Sequence, residues 1–96
     1  MNDDITIQRN DEAGRYELSV GGELAAFTDV QRVGDTVVMP HTLTVPAFRG
    51  RGLAAQVVTA ALDDLLAEGA HVEPTCWFVA EYIEANPQYQ PLVQPR

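Results

Sequence analysis

The side chains with chemistry to offer are few. They are one cysteine, Cys76, two histidines, His41 and His71, and a glycine–arginine run from Arg49 to Gly52. In that run Gly50 and Gly52 let the backbone approach a ligand closely, while Arg49 and Arg51 add positive charge. A patterned helix follows at once, and no Ser, Thr, Asp or Asn between Pro46 and Gly52 stands ready to cap it. Its first N–H groups therefore need a partner from elsewhere. Glycines, arginines and an uncapped helix start together describe an anion site, most simply for phosphate. Gly50 to Ala55 also satisfies G-x-G-x-x-A, the dinucleotide fingerprint, and Glu73 lies about twenty residues on, where a ribose-binding acid would stand.

Cys76 falls where a second helix should start. There the helix dipole favours a thiolate that could carry an acyl group; the alternative is a small buried hydrophobe. His41 lies on a strand just ahead of the loop. It suits a general base near neutral pH, or a purely structural role. His71 begins a later strand far from the loop and reads as surface. One cysteine and two separated histidines make no metal-ligand cluster of familiar spacing, so no metal is implied. A Ser/His/Asp hydrolase is unsupported, because Ser19 is the only serine. Asp63, Asp64, Glu81 and Glu84 read as solvated helix faces rather than acid pairs.

Charge narrows the partners. The chain has 96 residues, a net charge of −8, and arginine but no lysine. It cannot furnish the basic face that nucleic acid or an anionic membrane requires. An acidic protein with one local cationic spot suits a phosphate-bearing cofactor and a cationic second substrate. The length predicts one domain over residues 1–96. No apolar run approaches the ~20 residues of a membrane span. The acidic start MNDDITIQRN is unlike a signal peptide, and a lone cysteine forms no internal disulfide; a cytoplasmic protein is expected.

Periodicity supplies the scaffold. Ile5 to Arg9 and Arg15 to Val20 alternate apolar and polar residues as half-buried strands, with the turn cluster NDEAG between them. Gly21-Gly22 predicts a tight hairpin into a third strand over Leu24–Val33. Gly34-Asp35 predicts a turn into a fourth over Thr36–Val45, which carries Pro40. From Leu53 the apolar positions Val57, Val58, Ala61, Leu62 and Leu65 repeat at helical spacing, and Gly69 stands where a C-cap belongs. A fifth strand over Ala70–Thr75 would return parallel to the fourth. A second helix over Trp77–Ala85 is stopped by Asn86-Pro87, and the tail reads as irregular. The order ββββαβα is an α+β domain, and its opening meander lacks the repeated βαβ units that a dinucleotide fold needs.

Loop and order together resemble the GCN5-related N-acetyltransferases. Arg49-Gly50-Arg51-Gly52-Leu53-Ala54 fits that family's Q/R-x-x-G-x-G/A loop between strand and helix. His41-Thr42, Thr75-Cys76-Trp77, and Asn86-Pro87 with Tyr89 are similar to its small yjdJ-type, NATD1-like branch; the resemblance runs from about Tyr16 to Val93. Leu43 departs from it, since many relatives carry glutamate there. The resemblance implies a minimal fold with splayed fourth and fifth strands, and acetyl-CoA as cofactor. It implies main-chain bonds from near Leu43 and Val45 to the pantetheine and from Arg51 to Ala54 to the pyrophosphate, with Asn86 a lesser contact. It further implies acetyl transfer to an amine, on a protein lysine or a small molecule, directly or through Cys76. Tyr82 falls where larger relatives often have a tyrosine that protonates the leaving thiolate; a core aromatic is its other reading. A non-catalytic CoA-binding module working with a partner protein, or an oligomer, is the alternative.

Overall fold

The computed structural model describes residues 4–95. Strands β1 (Ile5–Asn10), β2 (Arg15–Val20) and β3 (Glu23–Asp29) form an antiparallel meander, with β2 paired to both neighbours. Tyr16, Leu18 and Val20 alternate inward along β2, as the period-two pattern required. The strand expected over Leu24–Val33 bends at Val30, because the Val30 N–H leaves the ladder for the Gly14 carbonyl at 2.9 Å. Beyond that bend the chain forms a separate strand, β4 (Gln31–Val33).

The strand expected over Thr36–Val45 also divides, into β5 (Thr36–Val38) and β6 (Thr42–Thr44). Its break falls at Pro40, which has no N–H to give a ladder. Met39 still faces β7 (His71–Glu73), donating to Glu73 O at 3.0 Å, while His41 O already accepts from Asp29 N at 2.8 Å. One chain thus passes from one sheet to another within three residues. β5 lies between β4 and β7 and is parallel to β7; β6 pairs with β3. The expected parallel crossover and the splay are both present, and the splay point is Met39–His41.

Helix α1 (Leu53–Glu68) crosses the inner face of the meander and buries Leu53, Val57, Val58, Ala61, Leu62 and Leu65. Gly69 ends it in a left-handed conformation, φ 75°. Side chains clamp it to the sheet: the Tyr16 hydroxyl donates to Asp64, and Arg9 reaches Asp64 and Glu68, both at 3.1 Å. Burial and that bond push Tyr16 well above the usual tyrosine range, and the same bond holds Asp64 below the usual carboxylate range. Helix α2 (Trp77–Ala85) contributes Val79 and Ile83 to the same core. The tail is more ordered than its prolines suggested. Pro87–Leu92 is a 3₁₀ helix that buries Tyr89 and Leu92.

Candidate active site

The loop before α1 has the features of an anion seat. Gly52 is the N-cap in a left-handed conformation (φ 71°, ψ 24°), with no side chain capping the helix. The first intrahelical bond runs from Gln56 N to Gly52 O at 3.3 Å. The N–H groups of Leu53, Ala54 and Ala55 precede it and have no helical carbonyl to reach. The first turn carries no acidic residue, so nothing there competes with an anion for the positive end of the dipole. Gly50, at φ 86°, and Gly52 both border open space where a Cβ would stand. Arg9, Arg15 and Arg32 are committed to carboxylates elsewhere. Arg49 and Arg51 stand in the loop itself, and the Arg51 guanidinium lies 5.5 Å from the Phe48 ring centroid.

β6 provides the adjoining edge. Val45 N donates to Ala25 O at 2.8 Å, and Leu43 is the register partner of Phe27. In an antiparallel ladder these bonds alternate, so the main-chain groups of Leu43 and Val45 are turned towards β3. Those of Thr42 and Thr44 point the other way, into the gap where β6 has left β7. Leu43 and Val45, expected as pantetheine contacts, thus spend main-chain groups on β3, and Thr42 and Thr44 hold the groups left for the gap. Strand parity, once β3 is known as the partner, is the signal that finds Thr42 and Thr44.

Cys76 is the N-cap of α2 and is 9% exposed. Its backbone N–H donates to Met39 O at 3.0 Å, which ties it to the splay point. Its thiol points to Thr42 Oγ1 at 3.8 Å, and Thr42 Oγ1 lies 2.9 Å from the fully buried Thr28 hydroxyl. Sulfur and gap are adjacent. His41 is not part of this cluster, because the residue next to Thr42 along a strand faces the opposite side of the sheet. There its Nδ1 lies 3.5 Å from Asp29 Oδ2, and its ring meets Phe27 edge-on with centroids 5.9 Å apart. Arg15 covers the Phe27 ring at 4.4 Å.

Two other expected residues are occupied. The Thr59 hydroxyl donates to Ala55 O at 2.7 Å, so at 2.5 Å from it the Tyr82 hydroxyl is the donor. The Tyr82 hydroxyl is thus held against α1. Tyr89 beside it donates to Asp63 at 2.6 Å, and burial with that bond pushes it up to about 12. Asn86 closes α2, its Nδ2 donating to Tyr82 O at 2.8 Å. His71 is half-buried at the start of β7. Among the described residues no group of three or more His, Cys, Asp or Glu side chains could hold a metal ion, and no helix is long and apolar enough to cross a membrane.

Comparison with known proteins bears on family and fold. Residues 15–92 match the family model described as GCN5-related N-acetyl-transferase. Protein NATD1 of Mus musculus is 39% identical over 95 residues, covering 95% of this chain and 86% of its own. Protein NATD1 of Xenopus tropicalis is 40% identical over 62 residues, covering 62% of this chain and 57% of its own length. The crystal structure of the ribosomal-protein-S18-alanine N-acetyltransferase from Escherichia coli shares the fold, with TM-score 0.64 and 19% identity, over 81% of this chain and 54% of that one. This chain therefore spans only about half of some relatives it resembles. With the family match running from β2 to the last 3₁₀ turn, the chain belongs to the GCN5-related N-acetyltransferase family.

Proposed function

We propose that this protein is an acetyl-CoA-dependent N-acetyltransferase in which an acceptor amine attacks the thioester directly. The observation that carries the reading is the juxtaposition of two sets of main-chain groups. The uncapped N–H groups of Leu53, Ala54 and Ala55 suit a pyrophosphate, and the outward edge of β6 at Thr42 and Thr44 suits pantetheine amides. Acetyl-CoA supplies the activated acyl group. In the balanced reaction the amine nitrogen forms the new C–N bond and the C–S bond breaks, its electron pair leaving on the CoA thiolate. The base takes the amine's proton, and the thiolate takes up one from solvent.

His41 is the base we assign. Its Nδ1 lies 3.5 Å from Asp29 Oδ2 and its ring is about half-exposed, one residue from Thr42, which suits a group that meets the acceptor amine from the side of the sheet opposite α1. Cys76 suits the wall of the gap better than a nucleophile. It is nearly buried, its thiol faces the Thr42 hydroxyl, and a hydroxyl is not a base that could take its proton. A CoA-binding module without transfer activity remains the second reading, supported by the occupied Tyr82 hydroxyl and the departure at Leu43.

Calorimetry with CoA, acetyl-CoA, NAD and ATP, followed by an acetyl-transfer screen of amines and peptides, tests both readings. Binding of CoA and acetyl-CoA with turnover on an amine is expected, unaffected within a few fold by Cys76→Ala. An acetyl adduct on the protein that Cys76→Ala abolishes would replace direct attack by the covalent route. Binding without any turnover would favour the module. Tight NAD binding without CoA binding would overturn the assignment.

A further inference from the structure

The outer stripe of α2 is unlike the rest of the surface. Trp77, the first residue of α2 and the only tryptophan, is 72% exposed, the most of any large hydrophobic side chain described. Phe78 stands edge-on to it with ring centroids 5.9 Å apart. Glu81, Glu84 and Ala85 follow at i+4, i+7 and i+8, on the same helix face. Two shallow cavities of about 340 and 350 Å³ adjoin along this face, the first lined by Trp77, Phe78, Glu81, Tyr82 and Ala85, the second by Glu81, Glu84 and Ala85.

Among the described residues Glu81 and Glu84 share with Glu12, Glu23 and Glu73 the lack of an arginine partner, but they alone among these stand beside an exposed indole. Asp11, Glu17, Asp64 and Glu68 each pair with an arginine. Among the described residues no arginine or histidine pairs with Glu81 or Glu84. An exposed indole beside two uncompensated carboxylates is a combination that attracts cationic side chains, through the ring face and through charge. Trp77 also follows Cys76, which borders the gap at Thr42. A chain lying on this stripe would pass the mouth of the proposed acetyl site.

Resting on the transferase reading above, we infer that the Trp77–Glu81–Glu84 stripe docks a lysine- or arginine-rich segment of a protein acceptor. The acceptor class is then a basic polypeptide, and the stripe holds residues flanking the acetylated amine.

The test uses a fluorescently labelled lysine-rich peptide, a glutamate counterpart, and the full chain with saturating CoA. Anisotropy should show binding of the basic peptide alone, weakened about tenfold or more by Trp77→Ala and by Glu81→Gln/Glu84→Gln. A control pair on other elements, Glu12→Gln in the β1–β2 turn and Glu23→Gln at the start of β3, should change it less than about twofold. CoA binding measured on the same variants should stay as in the unaltered chain. Equal weakening by both glutamine pairs would reduce the effect to bulk charge and overturn the inference. A dimer that Trp77→Ala dissociates would overturn it too, by assigning the stripe to a second copy. Loss of the transferase reading would show separately, as absence of CoA binding in the unaltered chain.

Discussion

Gly52→Ala isolates the proposed pyrophosphate seat, because its structural cost can be worked out in advance. Gly52 sits at φ 71° and ψ 24°, and an added Cβ meets nothing within 4 Å. The fold therefore loses only the backbone penalty, about 1–2 kcal/mol for a non-glycine residue in the left-handed region. In a domain of this size that is roughly 4–16 °C of melting temperature. Gly34→Ala is the matched control. Gly34 has φ 60° and equally open surroundings, but lies in the turn of the β4–β5 hairpin, whose Arg32 meets the last residue of α1 rather than its start. Both variants should melt lower by similar amounts. Only Gly52→Ala should lose CoA affinity, since its methyl stands where the phosphate would approach the helix N–H groups. Losing one charge-assisted hydrogen bond, about 1.5–3 kcal/mol, weakens binding about ten- to hundredfold. Thermal melts and CoA calorimetry on the two variants make the comparison. If they melt alike and bind CoA alike, the seat is not at this helix start.

Three further outcomes are expected. Leu62→Ala, at a fully buried position of α1, should cost about 2–5 kcal/mol in denaturant unfolding. Tyr16→Phe should cost about 1 kcal/mol at neutral pH, since half-exposed Asp64 keeps Arg9 as a partner, and should flatten the stability–pH curve at both ends. The signs come from linkage. Asp64 titrates lower when folded, so its contribution is present above ~4 and fades as pH falls. Tyr16 titrates higher when folded, so its contribution is present below ~10 and fades as pH rises. An unchanged curve would remove this pair from the stability account. His41→Gln should lower turnover about a hundredfold or more while leaving CoA affinity unchanged, measured by steady-state kinetics and calorimetry. Equal loss of both would make His41 structural.

Much of this was legible because local rules agreed with the fold. The 3.6-residue spacing from Leu53, the Gly69 cap and the Asn86-Pro87 stop placed both helices. Gly21-Gly22 and Gly34-Asp35 placed the hairpins that pair β2 with β3 and β4 with β5. The features that escaped depended on distant partners. Val30 leaves its ladder for Gly14, sixteen residues back. The parity of β6 is set by β3, so a strand's own pattern cannot say whether Leu43 and Val45 or Thr42 and Thr44 face the gap. Tyr82 packs against α1 because Thr59 offers an acceptor there, and no spacing within α2 reveals that. His41 and Cys76, neighbours of one site in sequence reasoning, lie on opposite sides of one strand.

The central claim is that a CoA thioester lies between the start of α1 and the free edge of β6. Amide NMR titration with acetyl-CoA tests it most directly. The largest shifts should fall on Arg51 to Ala55 and on Thr42 and Thr44, with Val45, bonded to Ala25, moving much less. Shifts centred elsewhere, or none at saturating ligand, would contradict it.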